Sequence, residues 1–200
     1  MPFFDAVTQW DYTILQSIQS IQNDFLDVVM RIFSYIGEMG AIWVFIALIM
    51  ICCKKTRAMG VMVLCAMLAG VLLNEVAIKN VVCRPRPFVT FPDISVNVKP
   101  PQSFGFPSGH SCSSFAATTV LMLRDKRFGI PALSIAMLIV FSRMYNGVHY
   151  PTDVLTGILL GILLGVLTVI IFKKTKLENK LSKPIMYKRS PADDVKTDAE

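Results

Sequence analysis

The chain has 200 residues, 54% of them hydrophobic and 17% charged, with a mean hydropathy of +0.55; an ordinary soluble domain of that length is far less apolar. Its formal net charge is +6. Spread over a soluble face that charge would suit nucleic acid, but the basic residues are sorted by position, which excludes a nucleic-acid partner and points to a polytopic membrane protein.

The first 30 residues carry Asp5, Asp11, Gln16, Gln19, Gln22 and Asp24, so no cleavable signal peptide is expected. Residues 6–36 read as two amphipathic helices, with Ile14, Leu15, Ile18 and Ile21 at helical spacing, and are expected to lie in the outer interface. In the alternative reading 25–36 makes a crossing of its own, with Asp27 and Arg31 paired at i, i+4. Further crossings are expected at 40–53, 59–82, 111–123, 129–141 and 154–172. A helix needs about 20 residues to span a hydrocarbon core about 30 Å thick. Segments 59–82 and 154–172 approach that length, and the others must borrow flanking residues. The fold class is therefore all-α, a polytopic membrane helix bundle of about five to six transmembrane helices with N-terminal interfacial helices.

Three basic clusters set the topology. Lys54, Lys55 and Arg57 fill one short loop, Arg124, Lys126 and Arg127 another, and eight more lysines and arginines follow Phe172, together 14 of the chain's 20. The intervening spans bring all three to one side, which the positive-inside rule makes cytoplasmic. Loops 84–106 and 145–150 then face outward. The expected division is 1–36 as amphipathic helices, 37–172 as the membrane-embedded domain and 173–200 as a charged cytoplasmic tail, a short helix end followed by disorder around Pro184 and Pro191. Cys52, Cys53, Cys65, Cys83 and Cys112 lack paired metal-ligand spacing and read as small apolar side chains. Cys83 and Cys112 both fall near the outer face, which leaves a disulfide between them open.

Charged groups at membrane depth pair, line a cavity or act on a substrate, and the outward side carries three such clusters. The first is "KNVVCRPRPF", residues 79–88, where two prolines force the chain out of its helix and project Arg84 and Arg86 beside Lys79. Arginine in a fixed frame suits bidentate binding of phosphate oxygens. Glu75, at i, i+4 before Lys79, is a local partner that would make Lys79 orient rather than bind. The second is "FPSGHS", residues 106–111, in which Ser108 is a good N-cap, Gly109 admits a close ligand and the helix start offers free N–H groups to an anion. The third is "SRMYNGVHYPTD", residues 142–153, which places Asp153 four residues from His149, positioned to accept the imidazole N–H. Cationic groups, a helix N-terminus and two histidines on one face are what metal-free phosphoryl transfer requires.

In their order and spacing, Lys79 with Arg86–Pro87, "PSGH" at 107–110, and Ser142–Arg143 with His149 and Asp153 resemble the three-part signature of the type 2 phosphatidic acid phosphatase superfamily. The resemblance runs from about Gly37 to Phe172 and is strongest to bacterial undecaprenyl-diphosphate phosphatases. It implies His149 as nucleophile forming a phosphohistidine, Asp153 as its support and His110 as acid and then base. It further implies Lys79, Arg86, Ser108, Gly109 and Arg143 as phosphate-binding residues, with no metal or other cofactor. Arg84 lies outside the minimal pattern and is expected at a second phosphate, which favours a diphosphate. The partners implied are a membrane lipid phosphate and the bilayer, in a bacterial inner membrane with the site facing outward; the oligomeric state is left open. Loop 89–105 is expected as a lid, with Phe91, Phe104 and Phe106 guiding lipid tails. Rival readings are a phosphatidylglycerophosphate or phosphatidate phosphatase, a lipid-phosphate binder without chemistry, and a zinc hydrolase using His110, His149 and Asp153.

Overall fold

The computed structural model describes residues 2–182, among which there is helix, turn and loop but no strand. The disorder expected of the far C-terminal tail lies outside the described residues. Two helices open the chain, α1 (Pro2–Gln19) and α2 (Asp24–Ile36). Asn23 caps α2 by accepting from the Leu26 N–H at 3.0 Å. Met39 and Gly40 then adopt positive φ, 50° and 70°, which breaks the helix before α3 (Ala41–Cys52).

A short basic turn leads to α4 (Arg57–Gly70), a π-helical stretch (Val71–Ile78) and α5 (Lys79–Val82). The outer loop contains one short helix, α6 (Pro87–Thr90). Then come α7 (Gly109–Arg124), α8 (Lys126–Tyr145), α9 (Pro151–Lys174) and the short α10 (Leu177–Ser182).

By length and apolarity alone, the stretch Arg57–Thr90, α8 and α9 each suffice to cross a membrane. The pair Asp24–Ile36 and Glu38–Cys52, bent by 47°, adds a fourth crossing if it is one broken span. The sequence reading had divided that pair into an interfacial helix and a separate span. With 16 residues, including serines and threonines, α7 falls short of a crossing by itself. It sits instead at the centre, packed by α4, α8 and α9.

Small residues allow that close packing. A Cβ on Gly157, Gly161 or Gly165 of α9 would lie 2.5, 2.5 and 2.7 Å from atoms of α7 or the Ser108 carbonyl before it. This is the small-residue stripe by which membrane helices approach backbone to backbone. Likewise a Cβ on Gly60 would meet the Ala47 carbonyl at 2.5 Å, so α3 and α4 touch there. Around these seams Trp43, Met62, Ala66, Ala116, Val120, Ala136 and Ile139 are fully buried. The Trp43 indole N–H finds the Ser114 hydroxyl at 2.9 Å. Phe45, Leu72, Leu155, Leu159 and Leu163 are exposed, the surface a lipid-facing bundle presents.

The N-terminal helices are tied to the outer loops. Tyr12 stacks on Phe91 at 4.0 Å and donates to Asp93, and Gln19 donates to the Ser95 carbonyl. Phe91 therefore packs inside a small core with Leu15, Ile94 and Tyr150 rather than guiding a lipid tail. Asp27, which sequence spacing pairs with Arg31, accepts instead from Tyr145 and Asn97. Cys83 and Cys112 are both free, one exposed and one buried, so the disulfide left open by the sequence is not formed.

Candidate active site

The three motifs meet at one end of the bundle around a cavity of about 700 Å³. Lys79, Arg86, Gly109, His110, Arg143 and His149 all line it. Ser103 and its neighbours from Val98 onward close one side, so the outer loop does cover the site.

His149 is placed by a turn that follows α8. Gly147 there has φ +69°, and a Cβ would meet the Ser95 carbonyl at 2.3 Å, so the tight approach of loop to turn requires glycine. The imidazole is buried, and its Nε2 lies 3.1 Å from Arg86 Nη1. A guanidinium can only donate, so Nε2 carries the lone pair and the ring proton sits on Nδ1. Nδ1 faces Asp153 Oδ2 at 3.5 Å, within ion-pair range but too long for the hydrogen bond read from the sequence. Asp153 spends its oxygens elsewhere: Oδ2 accepts the Tyr150 N–H at 3.0 Å, closing the first turn of α9, and Oδ1 accepts from Arg84 at 2.7 Å. Burial, reinforced by Arg86, Arg143 and Lys79, holds the His149 pKa well below its ordinary 6.5.

Arg86 is fixed by carbonyls. Its guanidinium donates to Ser103 O and Val148 O, each at 2.7 Å, and to Phe104 O at 3.3 Å. Arg143, at the end of α8, donates to the Ser34 hydroxyl of α2, while its buried Nε has no partner. Lys79 is gripped by Glu75, whose two oxygens lie 2.8 and 2.7 Å from Nζ. The π-helical stretch presents Asn74 and Glu75 toward the cavity. A Cβ on Gly109 would lie 2.4 Å from Glu75 Oε1, so glycine there admits that carboxylate to the N-terminus of α7. His110, in the first turn of α7, has a buried Nε2 without a partner.

Three residues singled out from the sequence do not line the cavity. Ser108 caps α7, accepting from Ser111, and donates its N–H to the Asp153 carbonyl at 3.0 Å. Asp153 stands behind His149, on the Nδ1 side of the ring. Arg84, expected at a second phosphate, faces away and bonds Asp11, Thr152 and Asp153. Proline spacing projects both arginines of the motif, and only packing decides which one turns inward. Sequence reasoning missed Asp11 and Ser34, because a polar residue on an amphipathic helix reads as solvated. Among the described residues no three His, Cys, Asp or Glu side chains gather as a metal site. The zinc reading loses its carboxylate, since Asp153 is committed to Arg84 and Tyr150.

Residues 59–177 match the model of the PAP2 superfamily. The chain belongs to that superfamily, and it is a membrane phosphatase. It is 39% identical over 130 residues to a decaprenylphosphoryl-5-phosphoribose phosphatase of Mycolicibacterium smegmatis, covering 64% of this chain and 68% of that one. It is 33% identical over 118 residues to an undecaprenyl-diphosphatase of Sulfolobus acidocaldarius, spanning 58% of this chain and 56% of that enzyme's length. The crystal structure of a PAP2-type phosphatidylglycerolphosphate phosphatase from Bacillus subtilis superposes with a TM-score of 0.70 at 32% identity, covering 84% of this chain and 87% of the other.

Proposed function

We propose that this PAP2 phosphatase hydrolyses a polyprenyl phosphate or diphosphate, undecaprenyl diphosphate among them, through a phosphohistidine at His149, and that its site faces outward from a bacterial inner membrane. The observation that carries this reading is the His149 ring: its Nε2 lone pair is held against Arg86, in a cavity lined by Arg143 and Lys79, with Nδ1 turned to Asp153. When a phosphoryl group enters, Arg86 passes from Nε2 to a phosphoryl oxygen. Nε2 then forms the bond to phosphorus as the bond to the leaving oxygen breaks, and His110, held neutral by burial and by Arg143 and Lys79 but protonated once the anionic phosphate offsets those cations, gives that oxygen its proton. The new N–P bond leaves positive charge on the ring, which the Asp153 carboxylate offsets across Nδ1–H. Water, losing its proton to His110, then releases phosphate and restores the imidazole. Arg86, Arg143 and the N–H groups opening α7 hold the oxygens throughout.

The relatives support a polyprenyl substrate. With Arg84 turned away, Lys99 is the cavity-lining cation that remains for a second phosphate. The extent of the match to the Bacillus subtilis structure supports phosphatidylglycerophosphate as the second reading. The test is phosphate release by detergent-purified protein, in excess EDTA, from C55 diphosphate, decaprenylphosphoryl-phosphoribose and phosphatidylglycerophosphate. Turnover of a polyprenyl lipid above the glycerolipid, abolished by His149→Ala, is expected. A fully active His149→Ala enzyme would remove the nucleophile, and preference for the glycerolipid would replace the polyprenyl reading.

A further inference from the structure

Asp153 must stay ionised and aimed if it is to offset charge on His149, yet the cation bonded to it, Arg84, would by itself cancel that charge. A second carboxylate lies on the other side of the same guanidinium. Asp11, in α1, is fully buried. Its Oδ2 accepts from Arg84 Nη2 at 2.8 Å and from the Thr152 hydroxyl, and its Oδ1 accepts the Thr152 N–H at 2.9 Å. Arg84 Nη1 in turn reaches the Thr152 hydroxyl and Asp153 Oδ1, both at 2.7 Å, and the guanidinium lies 4.0 Å over the Tyr150 ring. One positive charge is thus shared by two carboxylates, so the trio presents net negative charge to the imidazole. A buried carboxylate persists only when paired and hydrogen-bonded, and each oxygen of Asp11 is.

We propose that Asp11 is a positioning residue for phosphoryl transfer. It divides the charge of Arg84, so that Asp153 keeps its own for His149, and it clamps the first turn of α9, where Thr152 and Asp153 stand. The proposal rests on His149 as the nucleophile. Asp11 belongs to none of the three motifs and lies outside the residues, 59–177, that match the family, so α1 becomes part of the working site. Capping α9 needs only an acceptor, which asparagine also supplies; dividing the charge of Arg84 needs a carboxylate. That difference separates a structural role from the proposed one.

The experiment is single-turnover trapping of the phosphoenzyme from a ³²P-labelled lipid phosphate, with steady-state pH profiles, for wild type and Asp11→Asn. His149 is faced by Asp153, by Arg86, Arg143 and Lys79, and across the cavity by His110, so removing a negative charge from the set moves the acid limb of kcat/KM to lower pH. Phosphoenzyme formation is expected to slow about tenfold with KM held within about twofold, because the phosphate-binding cations are untouched. If Asp11→Asn does not fold, Thr152→Val, which removes the hydroxyl joining Asp11 to Arg84, is expected to slow the step about threefold. Unchanged trapping rates in the folded variant, or for Asp11→Asn a slower rate with no movement of the limb, would overturn the proposal. Absence of any phosphoenzyme in wild type would instead overturn the nucleophile assignment beneath it.

Discussion

Under the proposed mechanism two demands meet at His149: the ring must be neutral to attack and must tolerate positive charge once phosphorylated. Burial and the surrounding cations serve the first by holding its pKa well below 6.5, and Asp153 serves the second. The proposed mechanism therefore predicts that the acid limb of kcat/KM lies below pH 6.5; a limb above 6.5 would mean that the nucleophile titrates as an exposed histidine. The same shift has a consequence for stability. The unfolded imidazole takes its proton near the ordinary value of 6.5 and the folded one does not, so this contribution is constant above that pH and stability falls as the pH drops below it. Glu75 sets a second expectation. Its carboxylate occupies Lys79 and the start of α7, so in the proposed mechanism it competes with phosphate oxygens and lowers the positive charge of the cavity. Glu75→Gln is expected to lower KM for a diphosphate roughly threefold, and to lower it less for a monoester, since the more negative ligand gains more from the added charge. Equal KM changes for both lipids would show that Glu75 does not set this balance.

Among elements, α9 lines none of the cavity but is the surface on which the α7 motif is seated. Gly157 lies against the Ser108 carbonyl and Gly161 against the Cys112 carbonyl, so one stripe seats the motif on α7 and continues below it. Valine at either position overpacks the seam and is expected to cost about 1–3 kcal/mol of stability. Only Gly157→Val also displaces Ser108 and the start of α7, so its turnover should fall well below that of Gly161→Val at matched stability. Thermal unfolding and turnover in the same detergent check this; equal activity in the two variants would refute it. The elements differ in how much of them the sequence reveals. His149, His110, Arg86, Arg143 and Lys79 are legible because proline, glycine and helix ends fix their backbone locally, and the structure brings all five to one cavity. The outward turn of Arg84 and inward turn of Arg86 are not, since the first depends on Asp11, 73 residues away in the chain, and the second on the Ser103 and Val148 carbonyls, 17 and 62 residues away. The break between α2 and α3 falls where the sequence divides them, between 36 and 40, but its cause, positive φ at Met39 as well as Gly40, is not legible, since methionine carries no signal for that conformation.

For the whole molecule the question is which end faces out. The turn holding Lys54 and Lys55, the turn from α7 to α8, and the end of α9 are separated by paired passes through the bundle, and Arg124 of α7 forms an ion pair with Glu178 of α10. The basic clusters thus mark one end and the cavity the other, and the positive-inside rule is the ground for the proposal that the cavity faces outward. The free cysteines test this proposed orientation without any substitution in the site. Cys83 is exposed beside Arg84 at the cavity end, whereas Cys52 and Cys53 are exposed beside the basic turn. A membrane-impermeant maleimide applied to intact cells is expected to label Cys83, with Cys52 and Cys53 reacting only after the membrane is permeabilised. Cys83→Ala should abolish labelling of intact cells. Labelling that survives Cys83→Ala and disappears in a Cys52→Ala, Cys53→Ala double variant would invert the topology and place the phosphatase site on the cytoplasmic face.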